Sequence, residues 1–167
     1  MHSIRLLALL VFCFWVAPLA AYEGPADFSV GHMVRYEADS DFESAENALK
    51  MAIGDQGLAI ATESHVSDML DRTGRDIGAE RKVYVKAVNF EFCSALYSRK
   101  LMEANPDNIV FCPFIISVYS IPEEPERTFF AYRRLLAPTA DEDTQAVLRS
   151  IEEVLDSIAR RAVELAF

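Results

Sequence analysis

The sequence lacks most of the features that assign a reaction. It carries no Gly-x-Ser-x-Gly elbow, no glycine-rich phosphate loop and no His-Glu-x-x-His helix, so hydrolase, nucleotide-binding and zincin readings have no support. Basic residues are few: 16 Lys and Arg stand against 26 Asp and Glu, a formal net charge of −10. So acidic a chain offers no cationic face for phosphates, and nucleic acid is excluded as an expected partner. Cysteines number three, histidines three and tryptophans one, so there is neither a disulfide-rich framework nor a spaced Cys/His metal motif. Disorder is excluded by what is present. Of the 167 residues 51% are apolar, enough for one domain with its own core, in a chain too short for two.

Long apolar runs are scarce as well. The one unbroken block runs from Leu6 to Val16, preceded by His2 and Arg5, broken by Pro18 and followed by Ala20 and Ala21. It falls short of the roughly 20 residues of a membrane-spanning helix, and its layout is that of a secretory signal peptide cleaved near Ala20 and Ala21. An uncleaved anchor is the alternative. The expected organisation is a signal peptide over 1–21, a single domain over 22–138 and a C-terminal helix over 139–167. Cleavage removes Arg5, Cys13 and Trp15. The mature protein is then more acidic by one charge, free of tryptophan, periplasmic or secreted, and without a membrane partner.

Periodicity supplies the elements. Residues 22–29 read as a leader and His32 to Glu37 as a first strand. Ser40 with Glu43 has capping-box spacing, and Ala45, Ala48, Leu49, Ala52 and Ile53 form a helical stripe that Gly54 and Gly57 end. Leu58 to Thr62 reads as a second strand, Glu63 to Leu70 as a short helix or turn, Asp71 to Lys82 as a loop, and Lys82 to Phe90 as a third strand. Cys93-Ser94 opens a helix through about Ala104 that Pro106 ends. Ile109 to Cys112 and Phe114 to Tyr119 read as strands around Pro113, which implies a bend, bulge or edge. Pro122 and Pro125 bracket a turn before a last strand from Thr128 to Arg133. This order predicts an α+β fold, an antiparallel or mixed sheet with helices on one face. Residues 141–166 form a long amphipathic helix in which Leu148, Ile151, Leu155, Ile158, Ala162 and Leu165 make one stripe, with Arg149–Glu153 and Asp156–Arg160 as opposite charges on its exposed side. The stripe either docks on the chain's own sheet or joins two copies as a homodimer through Leu148, Ile151, Leu155 and Ile158.

An ordered set of segments carries a family likeness. These are Phe42-Glu43-Ser44-Ala45-Glu46-Asn47-Ala48-Leu49, Gln56-Gly57-Leu58, Glu63-Ser64-His65-Val66, Val88-Asn89-Phe90-Glu91-Phe92-Cys93, Leu101-Met102-Glu103-Ala104-Asn105-Pro106, Val110-Phe111-Cys112-Pro113 and Phe130-Ala131-Tyr132-Arg133. From about residue 40 to 134 the chain resembles the domain-of-unknown-function family 302. The resemblance implies a curved sheet with helices packed on one side, similar to the TATA-binding-protein-like architecture. It implies no activity, and it leaves out the signal peptide and the final helix.

Chemistry-bearing residues are few. Cys93 and Cys112 are the cysteines beyond the leader. With Cys93 at a predicted helix N-terminus, the macrodipole favours its thiolate. The rise from Ile109 to Cys112, roughly 13 Å in a strand, brings Cys112 toward it if the flanking strands run parallel. The pair forms a structural disulfide worth about 3 kcal/mol, or stays as two buried thiols, or serves as a redox or metal pair. His65 is a ligand or metal candidate, joining the cysteines as a third metal ligand, holding haem, or forming a structural hydrogen bond. Adjacent His32 and Met33 point to opposite faces of a strand and do not share a metal. Arg133-Arg134 is a small basic spot that suits an anionic ligand or a strand end in solvent. The acidic runs Asp39-Ser40-Asp41, Glu123-Glu124 and Asp141-Glu142-Asp143 lack the spacing of a calcium loop. The expected function is an exported, non-enzymatic, small-molecule-binding or accessory domain with no cofactor. The alternative is a thiol-based redox or metal/haem protein using Cys93 and Cys112.

Overall fold

The computed structural model describes residues 28–79 and 81–166; the signal-peptide reading of residues 1–21 lies outside them. The elements in chain order are β1 (Phe28–Val30), β2 (Met33–Ala38), α1 (Phe42–Asp55), β3 (Ala59–His65), α2 (Val66–Asp76), β4 (Lys86–Cys93), α3 (Ala95–Ala104), a 3₁₀ turn (Pro106–Phe111), β5 (Phe114–Ile121), β6 (Glu124–Arg133) and α4 (Glu142–Leu165). The strands form one six-stranded sheet in the order β1-β2-β6-β5-β4-β3. Every neighbouring pair is antiparallel, which decides between the antiparallel and mixed sheets that the strand order left open.

Alternation decides which face is covered. Val34, Tyr36 and Ala38 of β2, Val88, Phe90 and Phe92 of β4, Phe114, Ile116 and Val118 of β5, and Phe130 and Tyr132 of β6 are buried in one core with the stripes of α1 and α4. Leu101 of α3 joins them. Ala45, Ala48 and Ala52 of α1 and Ala159 and Ala162 of α4 are fully buried, and such small side chains let helices approach closely. Leu148, Ile151, Leu155 and Ile158 are each 2% exposed or less. Burying each contributes about 2 kcal/mol. The α4 stripe therefore docks on its own fold, and these four side chains offer no surface to a second copy. The C-terminal helix is part of the domain's core.

Several boundaries differ from the sequence reading, each for a local reason. The segment read as a leader contributes β1, a three-residue strand. The α1 cap is Asp41, whose carboxylate accepts the Ser44 N–H at 3.0 Å; an aspartate one residue closer outcompetes Ser40. Residues 63–65 extend β3, paired with β4 from Glu63↔Phe90 to His65↔Val88. The polar stretch read as a loop is helical through Asp76. It ends where Gly78 takes φ +70° and the Ala79 N–H reaches the Gly74 carbonyl at 2.8 Å. A Cβ on Gly74 would meet the Ala79 oxygen at 2.7 Å, so this return requires glycine.

The segment Ile109–Cys112 is not a strand. Asn105 caps the 3₁₀ turn by accepting the Asp107 N–H, with Pro106 in its first position. Buried Asn108 donates to the Leu101 carbonyl at 2.9 Å and to Thr144 Oγ1 at 2.8 Å. The turn chemistry of Asn105-Pro106-Asp107-Asn108 overrides the β-propensity of the apolar residues after it. Asp156 likewise departs from the exposed role expected of it. Its carboxylate accepts from the hydroxyls of Tyr36 and Tyr132 and from Arg160 Nε at 2.7 Å, tying α4 to β2 and β6.

Candidate functional site

The pairing of β5 with β6 begins at Ile116↔Tyr132, although β5 starts two residues earlier and β4 pairs with it down to Phe114. Beyond Arg133 the chain leaves the sheet. The Arg134 N–H reaches the His32 carbonyl at 2.9 Å, and Glu152 of α4 accepts the Leu135 N–H at 2.6 Å and Arg134 Nη2 at 3.3 Å. The end of β6 thus stays with β2 at Met33↔Arg133, Glu152 holds the chain that follows it against α4, and the start of β5 stays with β4. A cleft of about 370 Å³ opens between them.

Its walls come from both faces of the sheet. Phe114, Tyr132 and, from α4, Leu155 belong to the helix-backed side, whereas Ile115, Ser117, Ala131 and Arg133 belong to the other; Met33, Leu135, Pro113 and His32 complete the rim. The lining is mostly apolar with a few polar groups, the composition of small-molecule sites, and the volume lies in their usual range of roughly 300–1,000 Å³. Charge enters at one place. Arg134 is held by Glu152, whereas Arg133 is exposed and, among the described residues, forms no ion pair. His32 and Met33, set aside as a metal pair, both line this cleft. The sequence signal for it was Arg133-Arg134 at a strand end; the chain just beyond is held by Glu152, nearly twenty positions on.

The expected candidates lie elsewhere, and not together. His65 is exposed at the end of β3, in the capping position of α2, with no side-chain cap bond. It pairs with Val88. Cys93 is five residues further along β4, about 17 Å away and on the other face of the sheet. The three-ligand set of His65, Cys93 and Cys112 is not assembled, and among the described residues no group of three His, Cys, Asp or Glu could hold a metal.

Cys93 and Cys112 do meet, by a different route from the expected one. Cys93 ends β4 and Cys112 lies just before β5, the two strands run antiparallel, and the chain between the thiols passes through α3 and the 3₁₀ turn. The predicted disulfide is not formed: both are free thiols, Cys93 exposed and Cys112 half-buried. Ser98 Oγ lies 3.4 Å from Cys112 Sγ. Ser94, not Cys93, caps α3, accepting the Tyr97 N–H. Cys93 therefore lacks the expected activation. Partial burial and the neighbouring Cys112 thiol push its thiol up from the ordinary cysteine value, outweighing hydrogen bonds from the Phe114 N–H and Ser98.

A third cluster was not anticipated. On the face away from α1, α3 and α4, the Arg35 guanidinium stacks 4.6 Å from the centre of the Phe129 ring. Tyr119 lies 5.4 Å from Phe129 and 5.6 Å from Tyr84, and Ser117 Oγ donates to Asn89 Oδ1 at 2.8 Å. These side chains cover one another, leaving Phe129 only 1% exposed.

Comparison with known proteins points to one family. Residues 34–162 match the family described as "Domain of unknown function DUF302", a span that takes in most of α4 and so exceeds the stretch recognised in the sequence. A solved structure, an uncharacterized conserved DUF302 protein from Bacillus stearothermophilus, superposes with a TM-score of 0.67 at 15% identity, over 80% of this chain and 99% of that one. At that identity the likeness shows the fold. No curated protein matches.

Proposed function

The chain belongs to the DUF302 family, whose description carries no chemistry, and from its own sequence and geometry we propose that it is an exported domain binding a small molecule with an apolar body and an anionic end. One observation carries this reading: Arg133, without an acidic partner among the described residues, stands at the mouth of an otherwise largely apolar cleft of about 370 Å³. A carboxylate on Arg133 makes a charge-assisted hydrogen bond, while Met33, Phe114, Ile115, Leu135 and Leu155 take an aliphatic chain out of water at about 0.8 kcal/mol per buried methylene. Export rests on residues 1–21: an apolar block too short to span a membrane, followed by Pro18, Ala20 and Ala21. Among the described residues no helix is long and apolar enough to cross a membrane.

Hexanoate and hexanol form a matched pair of probes for the cleft. Calorimetric titration is expected to show hexanoate binding more tightly than the alcohol. Arg133→Gln should remove that preference, a loss of about tenfold or roughly 1.4 kcal/mol, and Ile115→Trp, which fills the cleft, should abolish binding of both. Equal affinity for hexanoate in wild type and both variants overturns the assignment. The intact mass of protein recovered from the exported fraction tests the leader, with a new N-terminus next to Ala20 or Ala21 expected.

A further inference from the structure

The two thiols sit at a point the sheet register defines. The last β4–β5 pair is Phe92↔Phe114. Cys93 is the next residue on β4, and Cys112 stands two residues before Phe114, at the end of the 3₁₀ turn. Continuing that register sets Cys93 beside the Cys112-Pro113 segment, and Ser98 Oγ, one turn into α3, lies 3.4 Å from Cys112 Sγ. The outer thiol is exposed and the inner one half-buried. An external disulfide can therefore reach Cys93, with Cys112 directly behind it.

We propose that Cys93 and Cys112 are an exchangeable dithiol–disulfide site that takes its oxidising equivalents from a low-molecular-weight disulfide. Cys93 loses its proton to solvent and attacks one sulfur of the external disulfide. A bond forms between Cys93 and that sulfur, and the other half leaves as a thiolate. Cys112, deprotonated in turn, attacks Cys93 Sγ, the Cys93–Cys112 bond forms, and the second external thiolate leaves. The protein gives up two electrons and two protons, and the external disulfide becomes two thiols. Because the Cys93 thiol is pushed up by its surroundings, less thiolate is present at neutral pH than for a free cysteine, and the first step is slow and accelerates as pH rises. The site is independent of the ligand reading, although Pro113 and Phe114, the residues following Cys112, line the cleft.

The test is incubation of the purified protein with oxidised glutathione, acid quench, alkylation and mapping of the Cys93 and Cys112 peptides by mass. The expected product in wild type is a single intramolecular disulfide, lighter by two hydrogens and free of glutathione, formed faster at alkaline than at neutral pH. Cys112→Ser should trap glutathione on Cys93, and Cys93→Ser should slow capture at least tenfold. Ser98→Ala retains both thiols and should still form the disulfide. Wild type in which both cysteines remain alkylatable, in which glutathione stays attached, or in which the disulfide links two molecules overturns the proposal. The wild-type result decides whether or not a variant folds.

Discussion

The two faces of the sheet are written by alternate residues of the same strands, and they carry different chemistry. On the helix-backed face Phe90, Ile116, Val118 and Phe130 are wholly buried under α1 and α4. On the other, Arg35, Asn89, Ser117 and Tyr119 hold each other and Phe129 through stacking and hydrogen bonds. The first face is determined by volume and burial, which tolerate few substitutions. The second is determined by pairwise contacts of half-covered polar and aromatic groups around buried Phe129, each worth less. The cleft forms where β5 and β6 separate and residues of both faces become neighbours, with Ser117 and Arg133 of the second face joining a largely apolar lining.

The contrast can be broken by substitution, beginning with the largest effect. Phe90→Ala removes a fully buried ring and should cost about 3–5 kcal/mol in urea unfolding. Asp156→Ala comes next. Tyr36 and Tyr132, both buried, lose the acceptor for their hydroxyls, at about 2 kcal/mol. This loss has a pH signature. Partial burial acts to raise the Asp156 carboxyl, but hydrogen bonds from Arg160, Tyr36 and Tyr132 outweigh it and hold the group below its usual value. A depressed folded-state pKa contributes stability that is complete above the unfolded value of about 3.9 and lost as pH falls through the lower folded one. Urea midpoints of wild type and Asp156→Ala should therefore differ fully at neutral pH and converge below about pH 4.

Smaller losses are expected on the other face. Tyr119→Ala opens the stack on Phe129 and should cost about 1–1.5 kcal/mol. Ser117→Ala, which removes one hydroxyl donor to Asn89, should cost about 0.5–1 kcal/mol. If Tyr119→Ala proves as damaging as Phe90→Ala, the two faces do not differ in the way described.

How much of this the sequence disclosed depended on how local the cause was. The α4 stripe and the α1 alanines were legible because a helical period repeats over many residues and points at one surface. The strand from Phe114 was legible for the same reason at period two. Residues 106–111 misled because Ile109 and Val110 suggest a strand, yet both are largely exposed, at 63% and 71%, and buried Asn108 fixes the turn through Thr144, a contact across 36 positions. Helix α2 was obscured by its charges and by Gly74. At the candidate site, Arg133 and both cysteines were visible as residues. The cleft was not, because its lining comes from β2, β5, β6 and α4, brought together only by the tertiary fold. Meanwhile the three-ligand set of His65 with Cys93 and Cys112 is not assembled, since strand pairing sets His65 beside Val88 and away from the thiols.

In the proposed function the small-molecule site lies where the two faces of the sheet meet. The decisive measurement is titration of the isotopically labelled protein with hexanoate, following backbone and methyl resonances. Shifts that saturate together at Met33, Ile115, Ala131, Arg133 and Leu155, with little change at Tyr84, Tyr119 and Phe129, are the predicted result. Saturable shifts confined to the Tyr84–Tyr119–Phe129 face, or no saturable shifts at all, would contradict it.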